Sequence, residues 1–185
     1  MKFYEMNIAG LDRKLPLCPL NEELYIAGFV MFGDVEITVK SAEELLKRAP
    51  EFDVIVTAEA KGIPLAYEMS RQSGKPYVIL RKSLKLYMVD AITTDVQSIT
   101  TANSQTLCVG SLEAEYIRNK RVLIVDDVIS TGGSLLAMEE LINRVEGNVV
   151  GRMTVLAEGD ATRRDDIIYL EKLYLFTPDG EPIID

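Results

Sequence analysis

Residues 122–134 read Val-Leu-Ile-Val-Asp-Asp-Val-Ile-Ser-Thr-Gly-Gly-Ser, and this stretch limits the possible folds more than any other. Val122 to Val125 form an unbroken aliphatic run, as a strand buried on both faces of a sheet requires. Asp126 and Asp127 follow, expected to form a turn, and then Val128 and Ile129. Ser130, Thr131, Gly132, Gly133 and Ser134 are small enough to expose backbone N–H groups. Beyond them Leu135, Leu136, Met138, Leu141, Ile142 and Val145 recur at helical spacing. The segment therefore reads as strand, acidic turn, small-residue loop and helix N-terminus.

That order suits a phosphorylated sugar. N–H groups at a helix start, approached closely through glycines, form an anion site. The hydroxyls of Thr131 and Ser134 add donors. Two aspartates would repel a phosphate, so they suit its neighbours: vicinal ribose hydroxyls, or a divalent cation. Ribose 5-phosphate satisfies both halves of the segment.

A second strand–loop–helix unit precedes it. Val54-Ile55-Val56 is the strand, residues 57–62 the turn, and Ile63-Pro64 opens a helix to about Gln72, with proline tolerated in the first turn. Gly74 and Pro76 end that helix, and Tyr77 to Leu80 form the next strand. This alternation predicts βαβ units in a parallel sheet, with ligands beyond the carboxyl ends of the strands. The loops at 57–62, 81–85 and 126–134 fall there.

The ends of the chain are less regular. Prolines in Leu15-Pro16-Leu17-Cys18-Pro19-Leu20 fit a loop or edge strand, and Leu24 to Phe32 fits a strand or a short buried helix. Ser41 with Glu44 has the pattern of a capping box, predicting a helix from there to about Lys47. Residues 93–106 are polar and β-branched and predict a two-stranded arm, 96–100 paired with 105–109, turning at Ala102-Asn103-Ser104. Asn148 marks a turn into a strand at Met153–Leu156, followed by Glu158 and Asp160 at the carboxyl edge. Arg163 to Asp166 reads as a solvated helix or turn. Residues 167–170 and 173–176 are apolar strands for a hood or a dimer face.

The 185 residues allow one domain with a substantial core and contain no histidine, which removes histidine bases and histidine metal sites. No apolar run reaches the roughly 18 residues of a membrane span, and no signal-peptide pattern opens the chain. Cys18 and Cys108 have neither metal nor disulfide-scaffold spacing, so a reducing cytoplasm is expected. A net charge of −9 argues against nonspecific nucleic-acid binding. Within this acidic chain, residues 61–85 carry six cations (Lys61, Arg71, Lys75, Arg81, Lys82, Lys85) and one acid, Glu68. Such a cluster beside a cleft attracts a polyanion.

Residues 122–134 resemble the thirteen-residue motif of type I phosphoribosyltransferases, which bind 5-phosphoribosyl-1-pyrophosphate (PRPP). Glu59-Ala60-Lys61-Gly62 resembles the pyrophosphate loop of the adenine-specific branch, with lysine where arginine is usual. Arg81-Lys82 and Lys85 resemble the segment that reaches the pyrophosphate, in several members that of a neighbouring subunit. The resemblance implies an α/β fold with a parallel twisted sheet flanked by helices, a core at about 50–160, a hood from about 1–35 and 157–185, and a flexible arm. It implies phosphoribosyl transfer from PRPP to a purine base, with Mg²⁺ and as a homodimer, in purine salvage.

The roles implied are equally specific. Asp126 and Asp127 hold the ribose, act as the catalytic pair and meet the metal through water. Ser130, Thr131, Gly132, Gly133 and Ser134 hold the 5-phosphate. Glu59, Ala60, Lys61, Gly62, Arg81, Lys82 and Lys85 serve the pyrophosphate, with a strained peptide around Ala60–Lys61. Val128 and Glu158 face the base. Ser130 replaces the aspartate of hypoxanthine–guanine enzymes, favouring adenine or xanthine. The stretch Ala60 to Tyr67 also resembles the effector domain of a bacterial purine repressor, so the alternative is a PRPP sensor without turnover.

Overall fold

The computed structural model describes residues 2–97 and 104–184. Five strands form an all-parallel sheet: β4 (Val54–Ala58), β5 (Tyr77–Leu80), β8 (Arg121–Ile129), β9 (Asn148–Glu158) and β10 (Ile168–Leu173), ordered β10-β9-β8-β4-β5. The chain leaves β4 toward β5 on one side, whereas β8 lies on the other. A crevice therefore opens between the loops after β4 and β8, where doubly wound sheets bind ligands.

Alternation along the strands divides the core. Ile55, Leu123 and Val125 face one layer with α1 (Val35–Leu46), α2 (Ile63–Ser73) and the hood. Val54, Val56, Val122 and Ile124 face the other, with α3 (Ser111–Glu115) and α4 (Gly133–Arg144). Burial on both faces explains why these strands are continuous aliphatic runs.

A second sheet joins the two chain ends in the order β1-β2-β3-β11-β12. Its members are β1 (Phe3–Ile8), β2 (Leu11–Pro19), β3 (Tyr25–Ala27), β11 (Leu175–Phe176) and β12 (Pro182–Ile183). β2 absorbs both prolines, and within Leu24–Phe32 only the three residues of β3 are strand. Arg13 on β2 ties this sheet to α1, its Nε and Nη2 donating to Asp34 at 2.7 and 3.0 Å. β6 (Ile92–Gln97) and β7 (Ser104–Val109) form the antiparallel arm. The first arm strand starts four residues earlier than expected; residues 98–100 and the Ala102-Asn103 turn lie outside the described residues.

Four local expectations need correction. Asp126 and Asp127 do not turn, because β8 runs through them to Ile129 in ladder with β9, Asp126 opposite Thr154. The helix expected at Ser41 begins at Val35, capped by the Asp34 carboxylate accepting from Ile37 N at 3.1 Å, and Ser41 is buried inside it. Asn148 is already strand; the turn is made by Glu146, at φ 61°, with Gly147. Residues 168–173 pair with β9 in the core sheet, so only 175–176 and 182–183 join the hood strands from that end.

Candidate active site

β8 delivers the acidic pair to the crevice. Asp127 is 2 % exposed, and its Oδ2 accepts no hydrogen bond. Asp126 is half-buried, and its Oδ1 accepts from the backbone N–H of Asp127 at 2.9 Å. Burial, reinforced by the charge on Asp127, pushes the Asp126 carboxyl up to about 8.

The chain then turns through Ser130, Thr131 and Gly132 into α4. Gly132 has φ +81°, a conformation glycine adopts without a Cβ penalty, and its carbonyl accepts from Leu136 N at 2.9 Å. This helix start opens onto a cavity of about 150 Å³ lined by Asp126 and residues 128–135. A first helical turn directs N–H groups outward, and the dipole adds partial positive charge. Asp126 and the α4 helix start thus share one concavity, while Asp127, next in the strand, is buried.

Across the crevice, β4 ends in the 59–62 loop. The peptide bond between Glu59 and Ala60 is cis, one residue before the position expected for an unusual peptide. Gly62 is buried against β8: a Cβ there would lie 2.8 Å from Asp126 Oδ1 and closer still to Thr57 Oγ1. Lys61 extends to the acidic pair, its Nζ 3.3 Å from Asp127 Oδ2. Ala60 is exposed.

Glu59 turns toward the next loop, accepting from Lys82 N at 3.1 Å and Arg81 Nη1 at 3.4 Å. The Lys82 N–H, with the charges of Lys85 and Arg81, holds the Glu59 carboxyl below its usual range. The glutamate thereby ties the 59–62 loop to the cationic segment. Lys85 Nζ donates to Ser83 Oγ at 2.8 Å. Arg81 and Cys108 exchange two main-chain bonds, N to O in each direction at 2.8 Å, joining β7 to this segment.

At the end of β9, Glu158 is half-buried, and burial pushes its carboxyl up against the opposing charge of Lys61. Val128 is half-buried and packs on the hood side of the core. The structure thus gathers Asp126, Asp127, Lys61, Gly62 and residues 130–134 around one crevice. Among the described residues, no three His, Cys, Asp or Glu side chains form a metal cage.

Two residues near the site escaped the sequence reading. Thr57 is fully buried on β4 with a hydroxyl that has no hydrogen-bond partner, beside Gly62. Arg164, read as part of a solvated turn, puts Nη1 3.2 Å from the Cβ position of Gly132. Its Nε and Nη2 donate to Asp166 at 2.8 and 2.7 Å. Thr57, expected to open the 57–62 turn, instead continues β4, which runs to Ala58 in ladder with β5; nothing local marked Arg164.

Residues 36–173 match the phosphoribosyl transferase domain. The chain is 34 % identical over 184 residues to adenine phosphoribosyltransferase of Bifidobacterium longum, covering 95 % of this chain and 84 % of that protein. It is 33 % identical over 156 residues to hypoxanthine/guanine phosphoribosyltransferase of Methanothermobacter thermautotrophicus, covering 82 % and 77 %. Its fold matches the crystal structure of adenine phosphoribosyltransferase from Thermoanaerobacter pseudethanolicus with TM-score 0.71 at 22 % identity, over 85 % of this chain and 95 % of that one.

Proposed function

Because the chain belongs to the phosphoribosyl transferase family, we propose that it transfers the 5-phosphoribosyl group of PRPP to a purine base, releasing pyrophosphate, with adenine the favoured acceptor. The observation that carries this reading is the concavity shared by Asp126 and the α4 N-terminus, with the 59–62 loop against Asp126 and its Lys61 reaching Asp127.

In this scheme Thr131, Ser134 and the N–H groups of residues 130–134 hold the 5-phosphate. Asp126 and Asp127 accept from the ribose hydroxyls, and their charge favours the cationic ribosyl centre formed as the C1–O bond breaks. Lys61, Arg81, Lys82 and Lys85 receive charge developing on the leaving pyrophosphate, with Glu59 bracing their loop. The backbone of Ala60 and Gly62 lines that side. The arm covers the sugar and limits competing hydrolysis.

Mg²⁺ would meet the acidic pair, Asp126 and Asp127, through water, with substrate oxygens as its other ligands. The buried Oδ2 of Asp127, which accepts no hydrogen bond and faces Lys61 Nζ at 3.3 Å, fits an acceptor for such a water once the ammonium moves away. The ion would supply Lewis-acid stabilisation of the pyrophosphate.

Val128 and Glu158 are the proposed base contacts. Glu158 could exchange hydrogen bonds with a purine edge, and a small residue at Ser130 accompanies adenine. The relatives include both adenine and hypoxanthine/guanine enzymes. We assign the protein to the cytoplasm; no described helix is long and apolar enough to cross a membrane. A homodimer accounts for the apolar surface at Leu84, Leu86, Tyr87 and Val89, exposed next to the cations.

The decisive experiment incubates the protein with PRPP, Mg²⁺ and a panel of purines and pyrimidines, separating nucleotide products chromatographically. Adenosine monophosphate and stoichiometric pyrophosphate are expected. PRPP binding without nucleotide from any base would instead establish the sensor.

A further inference from the structure

Lys61 stands among three carboxylates. Its ammonium is 3.3 Å from Asp127 and bears electrostatically on Asp126 and Glu158. The two partners of the ion pair differ in freedom: the Asp127 side chain is 4 % exposed, that of Lys61 is 53 % exposed. Lys61 also precedes buried Gly62, so its backbone is anchored while its flexible stem can swing. Arg81 and Lys85 have partners on their own side of the crevice, in Glu59 and Ser83.

Resting on the ribose-phosphate reading above, we propose that Lys61 is a specificity-determining counter-ion that selects PRPP over ribose phosphates lacking pyrophosphate. Without ligand it neutralises the acidic pair. Ribose 5-phosphate needs those carboxylates as hydroxyl acceptors, so it must displace the ammonium, and it offers nothing in exchange because its phosphate belongs in the 130–134 loop. PRPP carries pyrophosphate on C1, on the side of the 59–62 loop, and gives the displaced lysine a new anionic partner. One ion pair is lost in the first case and exchanged in the second.

Calorimetric titration of wild type, Lys61→Met and Lys61→Arg with ribose 5-phosphate and with PRPP tests this without added metal. At 0.15 M salt, distant charge on the 5-phosphate is largely screened over a length of about 8 Å. Lys61→Met is expected to tighten ribose 5-phosphate about threefold, as expected for a half-exposed ion pair. The same variant should weaken PRPP about tenfold through loss of a charge-assisted contact. Lys61→Arg should keep the wild-type preference. Opposite effects on two ligands are not what a general structural lesion produces. Unchanged or weaker ribose 5-phosphate binding in Lys61→Met overturns the proposal, as does unchanged PRPP binding. Failure of wild type to bind either ligand overturns the ribose-phosphate reading itself, and is distinguishable from both.

Discussion

Gly62 and Asp126 approach so closely that a methyl group on the glycine would stand 2.8 Å from the aspartate's Oδ1. With φ at −73°, Gly62 needs no special backbone freedom; it is required for space. Gly62→Ala should therefore fail sterically, losing about 1–3 kcal/mol of stability through overpacking and weakening PRPP by displacing Asp126. Thermal unfolding and calorimetry report the two effects. Adding Thr57→Ala removes the other obstructing atom and should recover part of the melting temperature. A Gly62→Ala protein with wild-type melting and affinity would show that the crevice is looser than this contact implies.

Asp127 can be tested by deletion. Asp127→Ala removes a buried acceptor and should weaken PRPP by about 2 kcal/mol, in the range for hydrogen bonds to charged groups. The fold should survive, since Oδ2 accepts no hydrogen bond and the ammonium it pairs with, on Lys61, is half-exposed and can return to water. Unaltered affinity in a titration would mean that the sugar does not sit at this pair.

The raised Asp126 predicts a distinct pH dependence. Its folded value of about 8 exceeds the unfolded value of 3.8, so the native state binds the extra proton between them. The stabilisation from that proton is full below 3.8 and disappears as pH rises through about 8. In metal-free protein, Asp126→Asn should consequently gain melting temperature relative to wild type as pH climbs from 4 to 8. A difference that stays flat across that series would place the Asp126 titration elsewhere. PRPP affinity should rise with pH over the upper part of this window, because the ionised carboxylate is the better acceptor.

Asp34 predicts a stability effect away from the chemistry. Asp34→Ala loses both the N-cap to Ile37 and the fork from Arg13. A loss of about 1–2 kcal/mol in denaturant unfolding is expected, the cap alone accounting for about 1. Asp34→Asn retains a capping oxygen and should lose less; equal losses would assign the effect to the ion pair.

The central strands were legible because burial on both faces leaves only aliphatic residues, as in Val54–Val56 and Val122–Val125. Tyr77–Leu80 agrees at both ends. Asp126 and Asp127 looked like a turn because local preference cannot see the ladder partner, Thr154, that keeps them extended. Ser41 and Glu44 satisfied a capping pattern, but Asp34 and Arg13 had already started that helix. The hood was obscure because its shortest strands have two or three residues and find partners from the opposite end of the chain. At the crevice, residue types were readable but contacts were not. Nothing local announces that Glu59 holds Lys82, or that Arg164 lies against Gly132.

The reciprocal main-chain bonds between Arg81 and Cys108 have a mechanical meaning. They fasten the root of a two-stranded ribbon to the segment bearing the cations. A ribbon secured in this way acts as a lever, carrying displacement of its strands to residue 81 instead of dissipating it at a hinge. On the proposed function, any movement of the ribbon over the sugar would then reach the cations on the pyrophosphate side.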